Sequence, residues 1–486
     1  METTTMPNWL KQRAYMTPER IALETAEESL TFLELHEEVL GRAGALGGLG
    51  IQKGDHIAIL MGNSAEMVKI IHAVFYCGAT AVLLNTRLTE EEWEYQFLDS
   101  KAKLIIASPE YYDRVPVNEN KKLSLMDAVR LLQKPAVYEE EYDLNQTAVI
   151  MYTSGTTGKP KGVMQTFGNH YWSAVGSALN LGLHTEDKWL AAVPLFHISG
   201  LSILFRSVIY GMTVSLHERF DAESINQSII HNKTSIISVV STMLDGMLEN
   251  LKECSYPKTF RCMLLGGGPA PASLLNQCKE KDIPVVQTYG MTETSSQFAT
   301  LSMEDSLRKL GSAGKPLFPC QIKIVKESGD EAGTNEPGEI MVKGPNVMKG
   351  YWNRQEATAR ALENGWLHTG DIGRMDEDGF LYVLDRRSDL IISGGENIYP
   401  AEIESVLMEH PLVKEAGVTG VTDEKWGQVP YAFVVASENL TANELLHFSA
   451  KKLAKYKVPK GITFVSELPR NASRKLQRHV LKGMVQ

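Results

Sequence analysis

Between residues 56 and 107, apolar runs of strand length alternate with longer stretches of helical apolar spacing. HIAIL (56–60), ATAVLLN (79–85) and KLIIA (103–107) read as buried strands, and Ala65–Tyr76 and residues 89–98 read as helices. This strand–helix–strand–helix–strand order constrains the fold more than any other feature. Parallel strands cannot be joined by tight hairpins, so a helical crossover implies a parallel sheet with covered faces.

Similar units follow. WLAAVPL (189–195) reads as a strand running into the loop FHISG. CMLLGGGPAPASLLNQC (262–278) reads as strand, glycine loop and helix, and PVVQTYGMTET (284–294) as a strand entering a polar loop. Ligands in such sheets sit where strands end and loops begin, so these three loops predict one cleft at one sheet edge. From about Gly338 the texture changes to short strands with turn signals: EIMVKG, GFLYVLD and DLIIS, with DEDG (376–379) as a clear turn. Pro400 suits the first turn of a helix over 401–409. VKEAGVTGV and YAFVVAS read as strands, and 444–456 as a helix. A boundary near Asp385 divides 1–385 from a C-terminal α+β unit, 386–486.

The chain has 486 residues, which calls for two or more domains. A net charge of −10 argues against a broad nucleic-acid surface. Cys77, Cys254, Cys262, Cys278 and Cys320 are scattered, with no CxxC pair for zinc and an odd count for disulfides, which fits a reducing cytoplasm. METTTMPNWLKQRA lacks the apolar core of a signal peptide. The most apolar stretch, 73–84, falls short of the roughly 20 residues that span a bilayer.

TSGTTGKPKG (153–162) has the glycines, hydroxyls and lysines of a phosphate loop. It fails the Walker pattern: Gly155 and Gly158 are separated only by Thr156 and Thr157, and Lys159 is followed by Pro160, which has no hydroxyl for Mg²⁺. The bland alternative, taken alone, is a surface loop. In QTYGMTET (287–294), Tyr289 offers a face to stack on a base, Thr292 a donor to a phosphate, and Glu293 a hard oxygen ligand for nucleotide-borne Mg²⁺. The bland alternative is a turn with a solvated glutamate. In GWLHTGDIG (365–373), Asp371 has the chemistry to accept from vicinal ribose hydroxyls, although a turn aspartate more often bonds its own backbone.

Together, and in this order, TSGTTGKPKG, YGMTET, TGD and DRRSDLIISGGENIYPAEIE resemble the acyl-adenylate-forming superfamily along nearly the whole chain. FGNHYWSAVGSALNLGL, PLFHISGLSILFRSVIYGMTV, LLGGGPAP, MVKGPNVMKGYWN and LPRNASRKLQR resemble the bacillus-type branch that ligates o-succinylbenzoate to CoA in menaquinone synthesis. The resemblance implies an α/β fold: a large N-terminal adenylate-forming domain with βαβ-type sheets covered by helices, and a small mobile C-terminal α+β domain. It also implies ATP, Mg²⁺ and CoA as cofactors and co-substrate. A carboxylate would attack the α-phosphate of ATP, and the small domain would then rotate for thioester formation.

Carried over by motif, Thr153, Ser154, Gly155, Thr156, Thr157, Gly158 and Lys159, with Lys161, would hold the β- and γ-phosphates. Gly267, Gly268 and Pro269 would line the adenine pocket, with Tyr289 stacked on the ring. Thr292 would meet the α-phosphate, Glu293 would bind the metal, and Asp371 and Arg386 would take the ribose. Gly394, Gly395 and Glu396 would form the loop that swings in for the second step, with Ser388 at the hinge position. His197 would stand beside the reacting carboxylate; in isolation it reads first as a structural histidine. Arg206 is a candidate for a second carboxylate, or an arginine reaching solvent from a helix. Lys475 holds the catalytic-lysine position, although Asn471 and Arg474 replace the usual threonine and glycine of that motif.

The expected partners are a small carboxylate, ATP and CoA, with no nucleic acid and no stable membrane insertion; a homo-oligomer is left open. Rival readings are ligation of another aromatic or medium-chain acid, a different acceptor for the adenylate, a P-loop GTPase or kinase, and a non-catalytic nucleotide-binding regulator.

Overall fold

The structure is a computed structural model. It describes residues 4–118, 121–124, 138–153, 159–267, 272–306, 308–326, 328–386, 391–398, 400–436, 440–469 and 478–485. The expected parallel unit is present. Strands Leu104–Ala107, His56–Leu60, Thr80–Leu83 and Thr147–Thr153 lie side by side and parallel within a seven-stranded sheet. Helix Ala65–Tyr76 is buried along its length, so apolar residues are needed on every side of it. Helix Glu90–Asp99 begins with a capping box, in which the Thr89 side chain accepts from Glu92 N–H and the Glu92 carboxylate accepts from Thr89 N–H.

A nine-stranded sheet holds the other three predicted strand–loop units. Lys188–Ala191, Ile236–Val239, Cys262–Leu265 and Val285–Met291 are consecutive parallel neighbours in it. Their carboxyl ends therefore open on the same edge. The strand expected over 189–195 stops at Ala191. Pro194 has no N–H for a ladder, and the Leu195 N–H is taken by the Asn63 side chain at 2.8 Å.

A five-stranded sheet ends at strand Leu381–Arg386, and the next strand, Ile391–Ser393, belongs to a separate sheet. That last sheet also contains Glu396–Ile398, Val413–Asp423, Gly427–Ala436 and Ile462–Phe464. Helices Pro400–Met408 and Ala442–Ala450 accompany these strands. The helix expected over 444–456 ends at Ala450, because Leu453 and Ala454 turn into the core and Lys455–Lys457 forms a short 3-10 turn.

That turn delivers Lys457 to the junction of the two parts. Its buried ammonium donates to Glu402 Oε1 at 2.7 Å and to Glu92 Oε1 at 2.9 Å across the junction. Nearby, Lys452 reaches Glu91 at 3.6 Å, and Thr89 Oγ1 donates to the Lys452 carbonyl at 3.1 Å. Among the described residues, no helix is long and apolar enough to cross a membrane.

Glu402 titrates within reach of neutrality. Burial pushes its carboxyl up, Lys457 pulls it down, and the like charge of Glu92 pushes it up again, to about 7. Glu92 itself is held below its ordinary value, despite its burial, chiefly by Lys457. Separating the two parts takes Glu92 from Glu402, lowers the Glu402 pKa and releases its proton. Raising the pH should therefore shift the population away from this docked arrangement, by up to about tenfold per unit between the lower pKa of the separated state and about 7, and no further above that. Energy transfer between dyes on the two parts would report this. Glu92→Gln should flatten the dependence, and an unchanged pH response in that variant would assign it to other groups.

Candidate active site

A cavity of about 1160 Å³ lies at the carboxyl ends of the parallel strands of the nine-stranded sheet. Its walls carry backbone and side chains from PLFHISG, the first glycines of GGGPAP, YGMTET and the TGD stretch. The hairpin formed by Ile391–Ser393 and Glu396–Ile398 enters from the small domain. Gly394 and Gly395 form its two-residue turn with φ of +56° and +83°, the pair of positive angles such a tight hairpin demands. Val240 seats both this hairpin and the adenine-loop candidate. A Cβ on Gly267 would stand 3.0 Å from Val240 Cγ1, and one on Gly395 would stand 3.1 Å from Val240 Cγ2.

Thr153 ends a strand that pairs antiparallel with Lys161–Thr166, so the phosphate-loop candidate is the connection of a hairpin. Thr153 and Pro160 line the cavity. Lys161 is half-buried; burial lowers its pKa while the charge of Glu293 opposes the shift. The Lys159 ammonium stands 5.8 Å from the centre of the Tyr95 ring. Ser154, Gly155, Thr156, Thr157, Gly158, Gly268, Pro269, Ser388, Arg474 and Lys475 lie outside the described residues, as does the side chain of Arg386.

The YGMTET segment leaves its strand through a 3-10 turn, Thr292–Thr294. Thr294 Oγ1 accepts from Met291 N–H at 2.9 Å, and Gln165 Nε2 donates to the Thr292 carbonyl at 2.6 Å. Ser295 and Ser296 then take φ of +50° and +97°. Two successive non-glycine residues in that region store strain, which the surrounding hydrogen bonds hold in place. A side chain on Gly290 is impossible here, since its Cβ would fall 1.8 Å from the Ser296 carbonyl oxygen. Thr292 and Glu293 line the cavity, and the Tyr351 hydroxyl donates to Glu293 Oε1 at 3.1 Å.

Asp371 also lines the cavity, and its Cα partner on the neighbouring strand is Arg386. Two ribose candidates 15 positions apart in the chain are thus cross-strand neighbours. Asp371 Oδ2 accepts from the hydroxyl of the buried Tyr289 at 2.8 Å. That bond ties the tyrosine of YGMTET to the aspartate of TGD.

His197 caps helix Ile198–Tyr210 without a side-chain bond to it. Its Nε2 instead lies 3.4 Å from Glu396 Oε2, and Arg87 pairs with the other oxygen of Glu396. Burial raises the Glu396 pKa, but His197 and Arg87 outweigh it and hold the carboxyl down at about 2. The carboxylate is therefore charged in this arrangement. Arg87 and Lys457 were not legible as site residues, because each is a single cation in an ordinary charged stretch. Their placement comes from docking of the small domain.

Deeper along the same helix is Arg206. It lines the cavity but is 1% exposed. Its guanidinium lies 5.0 Å from the Trp189 ring centre, and Nη2 reaches Ser296 Oγ at 3.4 Å, beyond good hydrogen-bond length. Its Nε has no partner, and no carboxylate among the described residues pairs with it. Burial pulls its pKa down. The expectation of a solvent-reaching stem is not met.

Residues 10–352 match the family model described as AMP-binding enzyme, and residues 402–475 match AMP-binding enzyme C-terminal domain. A 2-succinylbenzoate–CoA ligase of Geobacillus sp. (strain WCH70) is 58% identical over 99% of this chain and 98% of its own. Among solved structures, a double mutant of o-succinylbenzoate CoA synthetase from Bacillus subtilis, bound with its product analogue OSB-NCoA, is 53% identical with a TM-score of 0.95. The match covers 99% of each chain. The same enzyme in complex with the acyl-adenylate intermediate OSB-AMP, also 53% identical, gives 0.78 over 99% of this chain and 98% of that one.

A buried guanidinium without a counter-ion costs folding free energy unless a ligand uses it. Arg206→Met is expected to keep the melting temperature or raise it. A drop of several degrees in differential scanning calorimetry would make Arg206 a structural residue.

Proposed function

From its place in the AMP-binding enzyme family, to which this chain belongs, we infer that it ligates o-succinylbenzoate to CoA in menaquinone biosynthesis. ATP is consumed, an acyl-adenylate forms, and AMP and pyrophosphate leave. The observation that carries the substrate reading is Arg206: a cation in the cavity wall, on the helix that His197 caps, with no acidic partner of its own among the described residues. o-Succinylbenzoate has two carboxylates. One is activated, and the other needs a cation to bury against. We assign Arg206 to the aromatic carboxylate and His197 to the neighbourhood of the reacting one. A simple benzoate or fatty acid would leave the guanidinium unpaired.

In the first step two anions must meet, the substrate carboxylate and the α-phosphate. The chemistry calls for clustered cations and donors more than for a strong base. We assign the β- and γ-phosphates to the 153–159 loop with Lys161, the α-phosphate to Thr292, and the ribose to Asp371 and Arg386. Gly267, Gly268, Pro269 and Tyr289 are assigned to the adenine. Glu293, a hard oxygen ligand in the cavity wall, would hold Mg²⁺ carried by the nucleotide. The ion supplies charge neutralisation on the phosphates; Glu293 would hold it.

In the second step the CoA sulfur attacks the acyl carbon, the thiol proton is lost and AMP departs with the bonding electrons. The docked Gly394–Gly395 hairpin supports reading the present arrangement as that of thioester formation. So does the closer fit to the OSB-NCoA complex than to the OSB-AMP complex at equal identity. We take 1–385 as the AMP-binding and acyl-substrate domain and 386–486 as the mobile domain carrying Lys475. We place the enzyme in the cytoplasm, in keeping with five free cysteines.

The direct test supplies the purified chain with ATP, CoA and a panel of carboxylic acids, scored by mass for the acyl-CoA formed. o-Succinylbenzoate should be the preferred acid, and Arg206→Ala should erase that preference. Equal catalytic efficiency with benzoate or a medium-chain fatty acid would defeat the assignment.

The two half-reactions should separate in two further variants. Lys475→Ala removes a donor from the developing phosphate charge and should slow adenylation by about 10²–10³-fold while largely sparing transfer from preformed acyl-adenylate. Gly395→Leu puts bulk against Val240 at a positive φ and should do the reverse. Equal slowing of both steps by Lys475→Ala would refute domain alternation around that lysine.

A further inference from the structure

The carboxamide of Asn63 is 6% exposed and lies at the carboxyl end of strand His56–Leu60, in the seven-stranded sheet. All of its hydrogen bonds cross to the other sheet. Nδ2 donates to the Val193 and His217 carbonyls, both at 3.1 Å, and Oδ1 accepts from Leu195 N–H at 2.8 Å. Both amide protons and one oxygen lone pair are used, and only this orientation of the amide satisfies all three backbone groups. Val193 and Leu195 flank Pro194 on the segment that leads to His197. His217 stands just beyond strand Thr213–Leu216.

The far side of the same segment is equally confined. His197 N–H donates to the Pro194 carbonyl at 3.1 Å. A Cβ on Gly200, in the first turn of the helix, would fall 2.3 Å from that carbonyl oxygen. Backbone on one side and Asn63 on the other leave the 193–197 segment one path. His197 emerges from it at the helix N-cap, free of any capping bond, with its imidazole toward Glu396.

We propose that Asn63 is a positioning residue for the thioester step: by gripping Val193 and Leu195 it sets the place from which His197 meets Glu396. Asn63 lines the cavity, but its carboxamide is spent on the Val193, His217 and Leu195 backbone, so it acts through His197. The proposal rests on the ligase reading above. It predicts a larger effect in the arrangement in which the 391–398 hairpin is docked, where His197 also meets Glu396, than on adenylation.

The test is a double-mutant cycle on acyl transfer from preformed acyl-adenylate to CoA, with adenylation from ATP measured in parallel. Asn63→Ala leaves three backbone groups unpaired. Asn63→Asp keeps the shape and the acceptor to Leu195 but turns an anion on two carbonyls. In the wild-type background each should slow transfer by roughly 10- to 100-fold, the scale of a misplaced group, and slow adenylation much less. In a His197→Ala background the further loss should shrink to within about twofold, because the residue through which Asn63 acts is gone.

Undiminished loss in that background would make Asn63 an independent brace between the sheets and overturn the proposal. So would equal slowing of both half-reactions, or failure of both Asn63 variants to fold. If the wild-type chain does not turn over o-succinylbenzoate, the ligase reading falls first, and the cycle distinguishes that outcome because wild-type transfer is its reference.

Discussion

One buried ammonium holds the two halves of the cavity in register. Lys457 sits between Glu92 of the large part and Glu402 of the small one. Desolvating three charges costs free energy that their mutual attraction only partly returns, so such a cluster is worth less in stability than in specificity of arrangement. A junction of this kind is well suited to opening. An apolar interface of the same size would favour one docked state far more strongly. Here the partner carboxylate Glu402 belongs to the small domain and would travel with the lysine, leaving only Glu92 behind.

What the junction positions is a second set of charges. Glu396 arrives on the Gly394–Gly395 turn and is received by His197 and Arg87. The turn has no room for side chains: Gly394 lies on Trp426, and Gly395 lies on Val240, the residue that also supports Gly267. The adenine-loop candidate Gly267 and the hairpin thus share one wall of the cavity. The parallel strands of the nine-stranded sheet present their loops to that wall from a common edge, and the hairpin Thr147–Thr153 with Lys161–Thr166 brings the phosphate-loop candidate from the other sheet.

Much of this was legible in the chain. Strand His56–Leu60 and helix Ala65–Tyr76 lie where their apolar spacing puts them, because a parallel sheet covered on both faces needs continuous apolar runs. Glu293, Asp371 and Gly395 line the cavity as their motifs imply. The errors fell where tertiary contacts override local preference. The 189–195 run has strand composition throughout, yet Asn63 and Pro194 withdraw its second half from the ladder. Helical spacing continues past Ala450, yet the backbone turns so that Lys457 can reach Glu92.

Sequence by itself determined the parallel α/β plan, the order of the candidate phosphate, metal and ribose motifs, and the family they belong to. These depend on short-range composition, since a strand, a glycine turn and a carboxylate beside it are written within a dozen residues. Only the tertiary structure decided that Asp371 faces Arg386 across two strands, that Arg206 is buried without an acidic partner among the described residues, and that Arg87 and Lys457 belong to the site. Each of those facts pairs residues distant in the chain. A side chain carries no sign of its partner until folding removes both from water, and the cost of leaving a buried charge or amide unpaired then selects which contacts form.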